Sequence, residues 1–142
     1  MIYKSAIVAG GAGFVGSHLC RRLLRDGYAV TCIDDLSTGS MDNISSLMEN
    51  TQFRFMEQDI TSLTDMPGAV DEIYNLACPA SPVQYQKNPI QTFRTNVIGS
   101  MNLLELACRL LFQNKATNQD TCPLQKKYLK TLLTLHYETK SK

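Results

Sequence analysis

A glycine-rich segment close to the beginning of the sequence has the residue types and spacing of a phosphate-binding loop. Two patterns, G-x-G-x-x-G and G-x-x-G-x-x-G, overlap in it, and their members are Gly10, Gly11, Gly13 and Gly16. In such loops the early glycines allow a tight turn, the middle one lets backbone amides approach a pyrophosphate, and the last lets a helix pack closely on a strand. The segment is therefore predicted to bind phosphate through backbone N–H groups at the beginning of a helix.

An acidic residue at the end of the second predicted strand strengthens this prediction. Apolar residues 5–9 before the glycines predict a buried strand, and residues 14–26 after them carry the apolar stripe of a helix. The β-favouring run 28–33 ends on Asp34, where a carboxylate accepts hydrogen bonds from the adenosine ribose hydroxyls. Because a carboxylate there repels a 2′-phosphate, NAD is favoured over NADP. The alternative, glycines that serve only as a turn, is disfavoured by the strand–loop–helix context.

Strand and helix patterns alternate along the chain and would position these residues. The predicted elements are strands at 5–9, 28–33, 53–57 and 72–77, and helices at 14–26, near 42–48 and from 88 to about 111. Asn88 and Pro89 supply an N-cap and a first-turn proline for the last helix, and Pro79 and Pro82 indicate a loop before it. The pattern predicts an α/β fold, a Rossmann-type doubly wound parallel sheet that is incomplete, with about four strands.

The character of the sequence changes after residue 111. We expect residues 1–111 to form an NAD-binding half and residues 112–142 to form a divergent tail. A C-terminal helix is predicted in that tail from Pro123 to about Tyr137. The tail is interpreted as the end of a truncated or frame-shifted product, or alternatively as a segment that covers the edge of the fourth strand.

Composition and charge disfavour several classes of partner. The 142 residues carry a formal net charge of +1, which gives no electrostatic reason to expect a nucleic acid or a membrane surface as partner. No apolar run is long enough to cross a bilayer, and the N-terminal apolar stretch is too short for a signal peptide, so a cytoplasmic location is expected. The five cysteines include no C-x-x-C pair and neither histidine has a ligand at suitable spacing, so no metal site is predicted. Cys20 and Cys32 are expected to be buried thiols.

Several segments besides the glycines carry a likeness to a known family. They are residues 8–19 (VAGGAGFVGSHL), 34–39 (DDLSTG), the pair Asp59-Ile60, 74–82 (YNLACPASP), Tyr85, 88–90 (NPI) and 95–99 (TNVIG). Together they resemble the extended short-chain dehydrogenases/reductases that modify nucleotide sugars, the NAD-dependent epimerase/dehydratase family. The Pro-Ala-Ser-Pro loop within 74–82 is most similar to the UDP-glucuronate decarboxylases of that family. The resemblance covers about residues 5–109.

The resemblance implies how the cofactor NAD would lie across these segments. The implied binding residues are Gly13, Phe14 and Val15 for the pyrophosphate; Asp34, Asp35, Ser37, Thr38 and Gly39 for the adenosine ribose; Asp59 and Ile60 for adenine; and Leu76, Cys78 and Thr95 for the nicotinamide ribose. Three positions depart from the usual family pattern. Ala9 stands where threonine is usual, Asp35 where asparagine is usual, and Cys78 where serine is more common.

The same resemblance implies a UDP-sugar as substrate, and UDP-glucuronate in particular. Arg94 matches a position, usually lysine, that reaches the sugar acid, and a cation there suits a carboxylate. Asn102 and Arg109 match helix positions that approach the UDP phosphates. As alternatives, Arg94 and Arg109 are solvated helix charges, and the lineage is that of the nucleotide-sugar 4-epimerases or 4,6-dehydratases.

No catalytic residue is predicted in this chain. The family's chemistry uses a tyrosine as acid/base with a lysine four residues later, and no tyrosine of this sequence has a lysine at that spacing. The chain is therefore expected to be inactive alone. The competing hypotheses are a non-catalytic NAD-binding module, in a homodimer or paired with a full-length relative, and a remnant that binds nothing. The family is typically dimeric through helices that include the one predicted at 88–111.

Overall fold

Four parallel strands form a single sheet in the computed structural model, which describes residues 4–66, 68–78 and 82–114. The strands are β1 (Ser5–Ala9), β2 (Ala29–Asp34), β3 (Phe53–Glu57) and β4 (Glu72–Asn75). Their order in the sheet is β3-β2-β1-β4, and every neighbouring pair is parallel. The structure confirms the predicted α/β class with a four-stranded, Rossmann-like sheet.

The two faces of the sheet bury separate apolar cores, which explains why the central strands read as continuous apolar runs. Val8 and Cys32 face α1 (Phe14–Arg25) and share one core with Leu23 of that helix. Ile7 and Ile33 face the opposite side, where Leu103 and Leu106 are among the residues that cover them. Cys20 and Cys32 are both fully buried, as expected from the sequence. Helices therefore cover both sides, as the doubly wound prediction requires.

The first helix ends in a glycine motif that fixes the beginning of β2. Gly27 has φ +83°, a left-handed conformation that favours glycine. Its N–H donates to the Leu24 carbonyl (3.1 Å), and the Tyr28 N–H donates to the Leu23 carbonyl (3.0 Å). This pair of bonds is the Schellman arrangement, and it turns the chain back into the sheet. The predicted helix end at Gly27 is confirmed.

The connection from β2 to β3 differs from the short helix predicted near 42–48. Two 3₁₀ turns, Met41–Asn43 and Ser45–Leu47, take its place. Ile44 and Leu47 are both buried, and a three-residue separation aligns two side chains on the same face of a 3₁₀ turn. The need to bury both residues against the sheet accounts for the tighter turns.

The long helix predicted from 88 consists of several segments. The helix α2 (Pro82–Lys87) precedes it, so Pro82 begins a helix where the sequence predicted a loop. After Asn88, which caps it as predicted, α3 (Pro89–Arg94) runs into a π turn (Thr95–Gly99) and then α4 (Ser100–Asn114).

The π turn coincides with a close contact between the helix and Ile60, which lies three residues after β3. A Cβ atom on Gly99 would lie 2.5 Å from Cγ1 of Ile60, so only glycine allows this approach. The helix α4 continues three residues past the predicted end at 111, and the helix predicted from Pro123 lies outside the described residues. None of the helices in the described part of the chain is long and apolar enough to span a membrane.

Candidate nucleotide-binding site

The loop between β1 and α1 lies over the carboxyl ends of three strands. Gly10 has φ +75°, and its N–H donates to the Ile33 carbonyl at the end of β2 (2.8 Å). A Cβ atom on Gly10 would lie 2.5 Å from the carbonyl carbon of Leu76, just after β4. The loop thus occupies the crevice at the strand ends where open α/β sheets bind ligands.

The other glycines bring the loop, the sheet and the helix into direct contact. A Cβ atom on Gly11 would lie 2.5 Å from Sγ of Cys32, and one on Gly16 would collide with the carbonyl oxygen of Gly10. Gly16 belongs to the first turn of α1, so the helix approaches the loop backbone more closely than any side chain allows. Each of these three glycines therefore allows a different close approach: of the loop to the chain after β4, of the loop to β2, and of α1 to the loop.

The N-terminus of α1 is open toward this edge of the sheet. Its N-cap is Gly13, which has no side chain to accept from the first-turn amides, and the first turn contains no acidic residue. Such amides lack acceptors within the helix and carry the positive end of its dipole. Phe14 and Val15 beside them are 77% and 63% exposed, so apolar surface borders these amides. Together these features form a surface suited to an anion with an apolar neighbour.

Asp34 is a buried carboxylate held against the same loop. Only 7% of the residue is exposed, and its Oδ2 accepts from the Ala12 N–H (2.9 Å) while Oδ1 accepts from the Leu36 N–H (2.9 Å). Burial is the main cause that raises the pKa of this carboxyl, and the charge of Asp35 adds to it. Backbone hydrogen bonds from Leu36, Ala12 and Gly13 partly oppose the rise by stabilising the ionised form. Each oxygen keeps a further lone pair that can accept a ligand hydroxyl.

The segment after Asp34 folds around that carboxylate. Asp35 accepts from both the backbone N–H (3.0 Å) and the hydroxyl (2.7 Å) of Ser37. A Cβ atom on Gly39 would lie 3.0 Å from Oδ1 of Asp34, so the chain passes directly beside it. Thr38, between them, is exposed. The structure therefore brings the predicted ribose-binding residues together at one place.

A second acidic residue ends the neighbouring strand segment. Asp59 caps the 3₁₀ turn Ile60–Ser62 through a bond from the Thr61 N–H to Oδ1 (2.8 Å), and its Oδ2 accepts from Nε2 of Gln91 (3.2 Å). The Ile60 side chain is buried in the core, so a ligand at this place would meet its backbone only. No sequence signal predicts the contact with Gln91, because it joins positions far apart in the chain.

The residues predicted for the nicotinamide side lie after β4 and at the π turn. The Leu76 N–H donates to the Ala9 carbonyl (2.8 Å), which extends the β1–β4 pairing past Asn75. Cys78 is exposed beyond it. Thr95, which begins the π turn, is partly buried, and Arg94 before it is exposed. π turns inside α-helices occur frequently at functional sites.

Two residues predicted to approach the UDP phosphates contact the β3–β4 connection. Nδ2 of Asn102 donates to the carbonyls of Ile60 and Thr61 (both 2.9 Å), and Arg109 donates to the Thr64 carbonyl. Arg109 also lies 3.9 Å from Oε2 of Glu105, in an exposed pair that adds little stability. Both side chains therefore hold α4 against this connection, and their contact with phosphate stays a prediction.

An open helix N-terminus above a parallel sheet, followed by a carboxylate at the end of the next strand, defines a dinucleotide-binding domain. The sequence model of the family described as GDP-mannose 4,6 dehydratase matches residues 7–121. The chain belongs to this NAD-dependent epimerase/dehydratase family, and the resemblance seen in the sequence is confirmed.

Among curated proteins, this chain is similar in sequence to UDP-glucuronic acid decarboxylases. UDP-glucuronic acid decarboxylase 1 of Arabidopsis thaliana is 46% identical over 104 residues, which are 73% of this chain and 23% of the relative. UDP-glucuronic acid decarboxylase 1 of Danio rerio is 43% identical over 107 residues, 75% of this chain and 25% of the relative. The chain thus spans about a quarter of the length of these relatives.

Solved structures show the same fold. The UDP-Glc/GlcNAc 4-epimerase of Campylobacter jejuni matches with TM-score 0.64 and 26% identity, over 75% of this chain and 34% of that protein. UDP-glucose 4-epimerase of Thermotoga maritima, solved with UDP-glucose, matches with TM-score 0.59 and 30% identity over the same shares. The enzyme WbmF of Bordetella bronchiseptica, in complex with NAD+, matches with TM-score 0.60 and 30% identity, over 72% of this chain and 31% of that protein.

Proposed function

We propose that this chain is the NAD-binding portion of a UDP-glucuronate decarboxylase-like nucleotide-sugar enzyme. The observation that carries the proposal is the α1 N-terminus, capped only by Gly13, above a sheet edge where Asp34 is held in place. A pyrophosphate suits the amides, and the ribose hydroxyls suit the remaining lone pairs of the carboxylate. The decarboxylase relatives support the choice within the family.

In this proposal the cofactor is held by the residues assigned to it from the sequence. Gly13, Phe14 and Val15 face the pyrophosphate, and the amides of Phe14 and Val15 bind it, because the Gly13 N–H already donates to the Gly10 carbonyl (3.2 Å). Asp34 binds the adenosine ribose while excluding a 2′-phosphate. Asp35, Ser37, Thr38 and Gly39 surround that ribose, Asp59 and the Ile60 backbone border adenine, and Leu76, Cys78 and Thr95 border the nicotinamide ribose. The fit rests on close approach, because a side chain at Gly11 would push the loop away from β2 and one at Gly16 would push it away from α1.

We propose further that the chain alone binds without turnover. When bound, NAD would accept a hydride from the carbon that bears a sugar hydroxyl, but that step also needs a base to take the hydroxyl proton, and no Tyr-x-x-x-Lys pair occurs in this sequence. Arg94 is exposed on α3 and is the proposed partner of the sugar carboxylate, whereas Asn102 and Arg109 would have to leave their backbone partners to meet UDP phosphates.

Titration calorimetry with NAD and NADP tests the cofactor proposal. We expect the unmodified chain to bind NAD more tightly than NADP, and Asp34→Ala to weaken NAD binding by about tenfold or more. Glu49→Ala, which removes an exposed carboxylate away from the loop, is the matched control and should bind as the unmodified chain does. Absence of heat with NAD in the unmodified chain would overturn the proposal.

The lineage and the inactivity are tested with the sugars themselves. With NAD present, UDP-glucuronate should bind more tightly than UDP-glucose, and Arg94→Ala should abolish this preference because the cation that faces the carboxylate is lost. A preference for UDP-glucose would favour the epimerase lineage that the Thermotoga neighbour represents. Release of UDP-xylose and carbon dioxide by the purified chain would overturn the proposal of no turnover.

We also propose that the chain forms a homodimer through an apolar stripe on the α3–α4 helix. The stripe consists of exposed residues at helical spacing, namely Ile90, Phe93, Val97, Met101 and Leu104. The sequence intervals between these residues are the same on both sides of Val97. An antiparallel second copy with its two-fold axis at Val97 would therefore pair Ile90 with Leu104 and Phe93 with Met101, as an isologous contact requires.

Sedimentation velocity over a range of concentrations measures this association. We expect a dimer for the unmodified chain and a monomer for Phe93→Glu, because two charges would be buried without partners in each dimer. Met48→Glu places the same charge on another exposed apolar residue, outside the stripe, and should remain dimeric. A monomer at every concentration for the unmodified chain would overturn the proposed dimer.

A further inference from the structure

We infer that Gln91 is a positioning residue. By holding the Asp59 carboxylate in place, it makes the site selective for a base with an amino group on the edge that faces Asp59. The inference rests on the proposed NAD-binding function and goes beyond it. Its basis is the hydrogen bond from Nε2 of Gln91 to Oδ2 of Asp59 (3.2 Å), which joins α3 to the chain two residues after β3.

The order of the strands places Asp59 where the base of a bound dinucleotide must lie. The glycine loop follows β1, Asp34 ends β2, and Asp59 follows β3, which is the next strand outward in the sheet. Adjacent strands lie about 4.8 Å apart, so a nucleotide with its phosphates on the loop and its ribose at Asp34 extends its base toward Asp59.

Each of the two oxygens of the Asp59 carboxylate accepts a hydrogen bond from a different donor. Oδ1 accepts from the Thr61 N–H (2.8 Å), and Oδ2 accepts from Gln91 (3.2 Å). An ionised carboxylate only accepts hydrogen bonds, so in this fixed orientation its remaining lone pairs select a base edge with an N–H donor. A base with a carbonyl at that edge places two acceptors against each other and is disfavoured.

Gln91 is itself fixed by its own helix. Its backbone N–H donates to Oδ1 of Asn88, the N-cap of α3 (3.1 Å), and Pro89 occupies the first helical turn. The backbone of Gln91 is therefore anchored before its side chain reaches Asp59. Arg94, proposed for the sugar carboxylate, and Thr95, proposed for the nicotinamide ribose, follow Gln91 directly along the chain. The contact with Asp59 therefore connects the adenine end of the site to both of these residues.

The test compares NAD with nicotinamide hypoxanthine dinucleotide, in which a carbonyl replaces the amino group of adenine. We expect the unmodified chain to prefer NAD by at least about tenfold. Gln91→Met keeps the length and the helix propensity of the side chain but removes the donor, and it should lower this preference by about threefold or more. Gln91→Lys restores an N–H donor and should recover the preference. Gln86→Ala, on the neighbouring α2, is the control and should leave it unchanged.

The outcomes separate this inference from the proposed function. If the unmodified chain binds NAD but Gln91→Met discriminates between the two dinucleotides as well as the unmodified chain does, the inference is overturned and the NAD-binding function stands. An equal loss of affinity for both dinucleotides would indicate a merely structural role and would also overturn it. If the unmodified chain binds neither dinucleotide, both proposals are overturned.

Discussion

Sγ of Cys32 lies 2.5 Å from the point that a Cβ atom would occupy on Gly11. Sγ of Cys20 lies 3.2 Å from the same point, so two buried thiols, one from β2 and one from α1, form the floor under the glycine loop. A hydrogen bond between these thiols, together with burial, raises the pKa of Cys32 well above its ordinary value, so it remains a protonated thiol. The loop glycine and the β2 cysteine are therefore a packed pair.

We predict that this pair is energetically coupled. Gly11→Ala should destabilise the fold by about 1–3 kcal/mol because the new methyl group overlaps Cys32. Cys32→Ala removes that sulfur, so the double variant should be less destabilised than the sum of the two single variants. Denaturant unfolding of the four proteins in the cycle measures the coupling, and additive free energies of unfolding would contradict it.

Gly16→Ala provides the contrasting case. Its Cβ atom would meet the Gly10 carbonyl oxygen and lie 2.7 Å from Cα of Gly11. Both are backbone atoms, which a side-chain substitution cannot remove. We therefore predict that Cys32→Ala does not relieve Gly16→Ala. Rescue of Gly16→Ala by that substitution, seen in the same unfolding experiment, would show that the loop moves as a whole.

Much of the phosphate loop could be predicted from the sequence because its signals are local. Residues 6–9 are apolar, in keeping with their burial in β1, and the observed bounds of β1 and β3 are those predicted. The α1 stripe and Gly27 likewise mark a helix and its end. The position of Asp34 could also be predicted, because it is the last residue of β2.

The remainder depends on contacts between distant parts of the chain. Leu36 adopts φ +57°, which lets its N–H reach Asp34, but leucine carries no sequence signal for that conformation. The π turn accompanies the packing of Gly99 on Ile60, and the contact of Gln91 with Asp59 depends on how α3 packs beside the chain after β3. Such features follow from tertiary packing, which periodicity does not encode.

The raised pKa of Asp34 predicts a specific dependence of stability on pH. A carboxyl whose pKa is higher in the folded than in the unfolded protein binds more protons when folded, so its stabilising contribution is present below the ordinary value of 3.8 and is lost as the pH rises through the raised value. Asp34→Asn cannot titrate. We therefore expect the Tm of the unmodified chain minus that of Asp34→Asn to fall as the pH rises from about 4 to about 7.

Thermal melts without NAD at several pH values measure this difference. The other carboxylates titrate in both proteins, so their effects cancel. A difference for Asp34→Asn that rises with pH would mean that the hydrogen bonds from Ala12 and Leu36 outweigh burial.

Gly27 should be sensitive to backbone conformation alone. Its φ is +83° and no atom lies within 4 Å of the point that a Cβ atom would occupy, so substitution introduces strain without a clash. We predict that Gly27→Ala costs about 1 kcal/mol, that Gly27→Asn costs less, and that the β-branched Gly27→Val costs more. Denaturant midpoints give the order, and equal values for the three variants would contradict a conformational origin.

Glu72 on β4 accepts hydrogen bonds from the Tyr28 hydroxyl (3.0 Å) and the Tyr74 hydroxyl (2.5 Å). Burial, followed by the bond to Glu72, raises the pKa of Tyr74 above its ordinary value of 10.0. A raised folded-state pKa means that this stabilisation is present below pH 10.0 and is lost as Tyr74 ionises. We predict that Glu72→Gln, which removes the charge, lowers the pKa of Tyr74. Absorbance titration of phenolate against a Tyr74→Phe reference measures the shift, and an unchanged titration would show that burial alone sets it.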